Sequence, residues 1–391
     1  MNQTFNFDQI IDRRNTYSVK HNPVADGRDA DTLPLWVADM DFQAPPCVLE
    51  ALNKQVNHGI FGYSDADAAY ISSLQGWFSK RFSWTFEPSW LVKTPGIVIA
   101  IHMALRSLTQ PGDAILIQEP VYYPFRMAID YTDRTTVVNE LCYENGAYTI
   151  DFTDFEAKIQ ENNVKMFILC NPHNPIGRVW SQEELVRMGD ICLRHGVLVI
   201  ADEIHQDFIY RSHKHQVFIA LNPAYQDFTV TCTAPSKTFN LAGLQLSNIF
   251  IPNPELRKAF KAEYNRCGMS EPSLMGIAAC KAAYDGGEDW LEQLLDYLTG
   301  NLDFLRSYLQ AHLPHVRLVE PEGTYLVWLD FSALGMDDVA LDELISRKAK
   351  LWLDDGLMFG ASGSGFQRVN IACPRAILAE ALERLKNALQ N

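Results

Sequence analysis

The chain of 391 residues lacks the features that usually assign a protein at sight. Its 8 cysteines include no C-x-x-C pair, so neither a zinc ribbon nor a dithiol redox motif is indicated. Cys170 in KMFILCNP and Cys192 in GDICLRHG lie in apolar runs and read as buried free thiols. No stretch reaches the roughly 18 uncharged apolar residues that suggest a membrane span, and the opening MNQTFNFDQIIDRRN has no apolar signal-peptide core. Positive charge is also short. Lys and Arg number 33 against 48 Asp and Glu, a formal charge of −15 with no local basic patch, which disfavours nucleic acid and anionic lipid as partners. These absences predict a soluble, cytoplasmic protein. Walker A, G-x-S-x-G and H-E-x-x-H motifs are missing. His213 and His215 form an H-x-H pair without acidic or thiol ligands at a recognisable spacing, so they read as loop-surface residues and no metal site is expected.

What is present is an alternation. From about residue 90 to 280, short β-rich apolar runs at 114–119, 165–170, 197–202, 228–233 and 246–251 alternate with helical patterns at 97–109, 183–195, 254–266 and 273–284. Several runs are apolar at consecutive positions, as strands covered on both faces should be. The fold class is α/β, with a mostly parallel sheet. At Asp285-Gly286-Gly287 the pattern breaks into a long helical stretch and then a tail with short strands at 324–330 and 368–372 and helices near 339–348 and 375–389. The expected organisation is an N-terminal arm, 1–45, folded onto the smaller C-terminal domain, 286–391, with a large domain, 46–285, between them.

Ligands of open α/β sheets bind at the carboxyl ends of strands, and there the chain is chemically unusual. One strand leads into Asn171-Pro172-His173-Asn174, another ends in Asp202-Glu203-Ile204-His205, and a third runs into Ser236-Lys237-Thr238. A lysine after a strand, flanked by Ser and Thr, can form an imine with an aldehyde cofactor when its pKa is depressed. Pyridoxal phosphate (PLP) also needs an anion at its ring nitrogen, and Asp202 is the candidate; taken alone it reads rather as a helix N-cap or a structural ion pair, and Lys237 and Asn174 reverse that. Thr94-Pro95-Gly96-Ile97-Val98 opens a helix whose N–H groups suit a phosphate. Tyr122 could stack on a ring or simply pack with Tyr123. In the tail, Gly363-Ser364-Gly365-Phe366-Gln367-Arg368 puts an arginine at the start of an apolar strand, where a guanidinium would grip a substrate carboxylate or lie at the surface.

These motifs together resemble one family. N-P-x-N-P-x-G (171–177), A-D-E-I-H (201–205), A-P-S-K-T-F-N-L-A-G-L (234–244) and F-Q-R-V-N-I-A-C-P-R (366–375) resemble class I/II aminotransferase-fold PLP enzymes. More narrowly they resemble the MalY/PatB-type cystathionine β-lyases, or cysteine-S-conjugate C–S β-lyases, as do P-L-W-V-A-D-M-D-F (34–42) and G-I-F-G-Y (59–63). The resemblance implies a fold type I homodimer. In it Lys237 holds PLP and is catalytic with Tyr122, Asp202 pairs with the ring nitrogen, Asn174 meets the 3′-oxygen and Tyr122 stacks on the ring. Gly96, Ile97, Val98 and Ser236 would hold the phosphate, and Tyr63 would reach it from the other subunit. Arg368 would bind the substrate carboxylate, beside Trp36, Val37 and Tyr123. Two departures from the aminotransferase pattern stand out: His205 where many carry Tyr, and Gln245 where many carry Arg. Both fit the lyase branch better. The expected reaction is α,β-elimination of an amino-acid thioether to a thiol, pyruvate and ammonia. An aminotransferase and a non-catalytic regulatory protein of the same fold are the alternatives.

Overall fold

The computed structural model describes residues 4–210, 212–269 and 271–390. Its principal sheet has seven strands: β1 (Leu91–Thr94), β2 (Ala114–Glu119), β3 (Thr135–Glu140), β4 (Met166–Cys170), β5 (Leu198–Asp202), β6 (Thr229–Thr233) and β7 (Ser247–Phe250). They lie in the order β1-β7-β6-β5-β4-β2-β3. All run one way except β7, which is antiparallel to both its neighbours.

Strand periodicity sends alternate side chains to opposite faces. Leu116, Phe167, Leu169 and Val199 meet Leu185, Met188 and Cys192 on one face, whereas Ile115, Ile117, Met166 and Ile168 meet Ile97, Ala100 and Ala104 on the other. Both faces are covered by helices, which is why β2, β4 and β6 are buried at every position; β2 and β4 run largely apolar without alternating, whereas β6 alternates threonine with Val230 and Cys232 and is buried all the same. The helices that matter below are α1 (Pro46–His58), α2 (Ala68–Phe82), α3 (Ile97–Leu108), α4 (Gln182–His195), α5 (Pro235–Thr238), α6 (Pro254–Arg266), α7 (Leu274–Gly286), α8 (Glu288–His312) and α9 (Arg375–Gln390). Helix α4 starts on a capping box between Ser181 and Glu184 and stops at Gly196, whose φ of 65° is left-handed.

The five expected strands and four expected helices are present with ends shifted by about two residues at most. Several elements were not anticipated, among them the helices Pro124–Tyr131 and Phe152–Glu161 and the four that follow. Helix α1 fully buries only Val48, so it carries no strong apolar stripe, and α2 lies in the same unassigned stretch. Strand β1 has only four residues, and β3 is an edge strand with exposed ends.

A second sheet, β8 (Arg317–Val319), β9 (Leu326–Asp330), β10 (Asp354–Asp355) and β11 (Phe366–Asn370), is antiparallel in the order β8-β9-β11-β10. It corrects one expectation: the last strand begins two residues earlier than read, so Arg368 lies at its centre and is buried, not at a strand start. The N-terminal stretch lies against this part of the chain. Leu33–Pro34 pairs in parallel with Leu351–Trp352, Phe7 packs edge-on against Trp290 at 5.7 Å, and Tyr297 donates to Asp8. A further correction concerns the H-x-H pair. His213 is exposed, but His215 is buried with its Nε2 3.3 Å from Oε2 of the buried Glu203, an arrangement the two-residue spacing alone does not reveal.

Candidate active site

The parallel strands β2, β4, β5 and β6 end on one edge of the sheet, and β7, running the other way, begins there. A cleft opens at that edge, and its wall includes Gly96, Ile97, Val98, Tyr122, Asn174, Asp202, His205, Ser236 and Lys237. Residues up to 141 positions apart are thereby gathered because each follows a strand of the same sense. The structure does not place Trp36, Val37, Tyr123 or Arg368 on that wall. Arg368 stands directly behind it, with Nη1 donating to Asn174 Oδ1 at 3.0 Å and Nη2 to the Trp36 carbonyl at 3.0 Å. Tyr123 lies 5.5 Å from Tyr122, ring to ring. Tyr63 is 98% exposed, outside the cleft of its own chain.

Lys237 sits on the four-residue helix α5, and its Nζ donates to the Ala38 carbonyl at 2.8 Å. Burial pushes its pKa down to about 8; nearby Asp39 opposes that shift, Arg368 assists it and Asp202 opposes it. The helix is pinned through the next residue, since Thr238 Oγ1 donates to Asp207 Oδ2 at 2.8 Å and Asp207 is paired with Arg81 at 2.9 Å. Asp202 is fully enclosed. Burial raises its carboxyl to about 7, against the Ile204 N–H, which donates to it at 3.1 Å, and against Lys237. No ion pair to Asp202 occurs among the described residues. His205 is held well below the ordinary histidine range, by burial first and then by Lys237 and Arg368, so it is a neutral imidazole. Its Nδ1 is buried without a hydrogen-bond partner.

The other end of the cleft is the start of α3. No side chain caps this helix, so the first-turn N–H groups of Ile97 and Val98 lie at the wall with the positive end of the helix dipole behind them. Gly96 has φ −179°, a conformation open to any residue, and a Cβ there would meet nothing within 4 Å. The space beside it belongs to the cleft, so the protein's own packing does not require glycine there.

The donor set fits pyridoxal phosphate. An amine of lowered pKa suits its aldehyde, a buried carboxylate suits its ring nitrogen, and an uncapped helix start suits its phosphate. With Asn174 Oδ1 occupied by Arg368, the amide nitrogen is the end left to donate to an anionic ring oxygen. Tyr122 is half-buried at the cleft, and burial raises its phenol far above the ordinary range, which suits it to pack as a neutral ring.

Several participants escaped the sequence reading. The Ala38 carbonyl also accepts from Tyr325 Oη at 2.9 Å, and Asp354 pairs with Arg368. A backbone carbonyl has no sequence signature, and the partner of Arg368 depends on strand register. One signal was available: Gly177, closing N-P-x-N-P-x-G, has φ 73°, and a Cβ there would lie 2.7 Å from Pro321 Cβ. That motif therefore marks a contact with the C-terminal part of the chain as well as a site loop.

The family model for aminotransferase class I and II matches residues 30–385. Cystathionine beta-lyase PatB of Bacillus subtilis is 43% identical over 385 residues, covering 98% of this chain and 100% of that protein. Protein MalY of Escherichia coli is 34% identical, covering 99% of each. Among solved structures, the PLP-bound C-S lyase from Staphylococcus hominis superposes with a TM-score of 0.93 at 35% identity, covering 100% of this chain and 99% of that one.

Proposed function

The chain belongs to the class I and II aminotransferase family, in its cystathionine β-lyase branch, and from that footing we propose which residues carry the reaction. The protein is a PLP-dependent carbon–sulfur β-lyase that cleaves L-cystathionine or related cysteine S-conjugates to a thiol, pyruvate and ammonia. Bound PLP supplies an electron sink for the charge that develops at the substrate Cα. The observation that carries the residue assignment is the meeting of Lys237, Asp202 and Asn174 at one sheet edge, with Arg368 bonded to Asn174.

In this reading Lys237 holds the cofactor and, once released, takes the Cα proton at Nζ. With a pKa near 8 it is substantially neutral in mildly alkaline solution, as a base must be. Asp202 stays anionic opposite the ring nitrogen, a cation that would offset the burial now raising its carboxyl. The N–H groups of Ile97 and Val98, with Gly96 and the Ser236 hydroxyl, hold the phosphate. Tyr122 covers a ring face and Asn174 donates to the ring oxygen. Neutral His205 lends no positive charge beside that oxygen. Arg368 orients the substrate by its α-carboxylate, so that the Cα–H bond points at Lys237; Trp36, Val37 and Tyr123 flank the side-chain end. A thiolate then leaves from Cβ, helped by a conjugate thiol pKa of about 8.5.

The partition into an arm (1–45), a large domain (46–285) and a small domain (286–391) goes with this reading, as does a homodimer. Exposed Ile60, Phe61 and Tyr63, at 68%, 62% and 98%, support a second copy that receives Tyr63 at its phosphate site. A cytoplasmic location is likewise proposed; no helix among the described residues is long and apolar enough to cross a membrane. The deciding experiment incubates the holoenzyme with L-cystathionine and no keto acid. Pyruvate, ammonia and homocysteine in equal amounts are expected. Product formed only on addition of a keto acid would make the protein an aminotransferase instead.

A further inference from the structure

Arg368 does not meet its substrate as a bare cation. In the β10–β11 ladder Asp354 lies directly opposite Arg368, so their side chains leave the same face of the sheet. Asp354 Oδ2 accepts from Arg368 Nη2, and both side chains are almost completely enclosed, at 4% and 3% exposure. The guanidinium is held on further sides: Nη1 by Asn174, Nη2 also by the Trp36 carbonyl, and one face by the Phe359 ring at 4.9 Å from Cζ. Its Nε is buried without a partner. The arrangement is a pre-oriented grip with a donor in hand and its positive charge already balanced by a fixed anion.

We propose that Asp354 is a specificity-determining residue, whose fixed carboxylate biases the site against amino acids with anionic side chains and toward neutral or zwitterionic ones. The inference rests on the reading that Arg368 takes the α-carboxylate. An arriving carboxylate cancels a charge that Asp354 has already cancelled, so the local sum after binding is negative. A second carboxylate on the same amino acid is tethered a few bonds away and enters that field in a largely desolvated place, where like charges repel strongly. The Asp354 charge extends to the side-chain end: burial raises the Tyr123 phenol, and Asp354 raises it further, with Arg368 opposing by less. A neutral side chain feels none of this, and a zwitterionic one, such as the distal end of cystathionine, brings its own compensating ammonium.

The test compares L-glutamine with L-glutamate, near-isosteric amino acids that differ in one charge and carry no thiolate leaving group. Their affinities for the holoenzyme are read twice, from the change in cofactor absorbance on titration and from inhibition of cystathionine cleavage. The wild type is expected to bind glutamine at least about tenfold more tightly than glutamate, as a like-charge contact at low dielectric predicts. Asp354→Asn should bring the ratio toward one, and Asp354→Glu, which restores the charge, should bring the preference back. A wild-type ratio of one or below overturns the proposal whether or not Asp354→Asn folds, and so does an Asp354→Asn enzyme that keeps the wild-type ratio. Arg368→Lys separates the two layers: it should weaken both amino acids alike, and if it changes neither affinity, the reading of Arg368 fails first.

Discussion

The cleft wall and the region behind it are built differently. The sheet-edge wall supplies Lys237, Asp202, Asn174 and the start of α3, each a side chain or helix end that follows a strand. The region behind it, residues 36–42 with β10 and β11, reaches the cleft through Ala38 and works mostly through backbone carbonyls held by asparagines. Asn370 Nδ2 donates to the Val37 and Asp39 carbonyls at 2.8 and 2.7 Å, and Asn240 Nδ2 to those of Met40 and Phe42 at 2.9 Å. Charge anchors the segment from outside as well, since Asp41 pairs with the buried Lys20 at 2.8 Å and with Arg13 at 2.7 Å. Groups that change protonation or bonding state have to be particular side chains; groups that only aim another group can be any correctly placed oxygen.

If that division holds, substitutions in the two regions fail in different ways. The largest effect is expected for Lys237→Ala, which should lose about 10³-fold or more in turnover, as for removal of a positioned general base, while cofactor absorbance survives dialysis. Asp202→Asn should follow, with a loss of about 10²-fold from removing one pre-organised charge at the reacting centre, measured as kcat with little change in KM. Arg368→Lys should act mainly on KM, about tenfold, because a point charge replaces a planar fork. Asn370→Ala should show first in stability. The part-buried Val37 carbonyl and the Ala372 N–H lose their partner, and the Asp39 carbonyl keeps only Lys20, at about 1–3 kcal/mol for each group left unsatisfied, visible as a lower Tm. An Asn370 variant with normal Tm and a kcat as low as that of the Asp202 variant would break the comparison.

The smallest effect concerns pH. Folding raises the Asp202 carboxyl from 3.8 to about 7, so between these values the native chain without cofactor binds the extra proton. Asp202 therefore destabilises the fold progressively as pH rises from about 4 through 7. A cofactor whose ring cation meets that carboxylate should remove the penalty, so the Tm gain on adding PLP should grow across this range. A gain that shrinks with pH would contradict the pairing.

The same contrast explains what could be read from sequence. Asn174, Asp202 and Lys237 each end or shortly follow a recognisable apolar run, so their meeting at one sheet edge was legible. So was the α/β alternation, because strands covered on both faces, such as β2 and β4, carry consecutive apolar residues. Arg368 was legible as chemistry but misplaced by two residues within its strand, and Asp354 in WLDDG was invisible, because only the β10–β11 register puts it opposite Arg368. The Ala38 and Trp36 carbonyls have no signature at all. Helix α1, with one fully buried residue, offered too little apolar pattern to find.

The central claim is that Lys237 moves the Cα proton, and hydrogen exchange tests it without any leaving group. With L-alanine in D2O, NMR should show the wild-type holoenzyme washing out the Cα hydrogen while Lys237→Ala, loaded with PLP, leaves it in place. Washout by that variant at the wild-type rate would show that another group carries the proton.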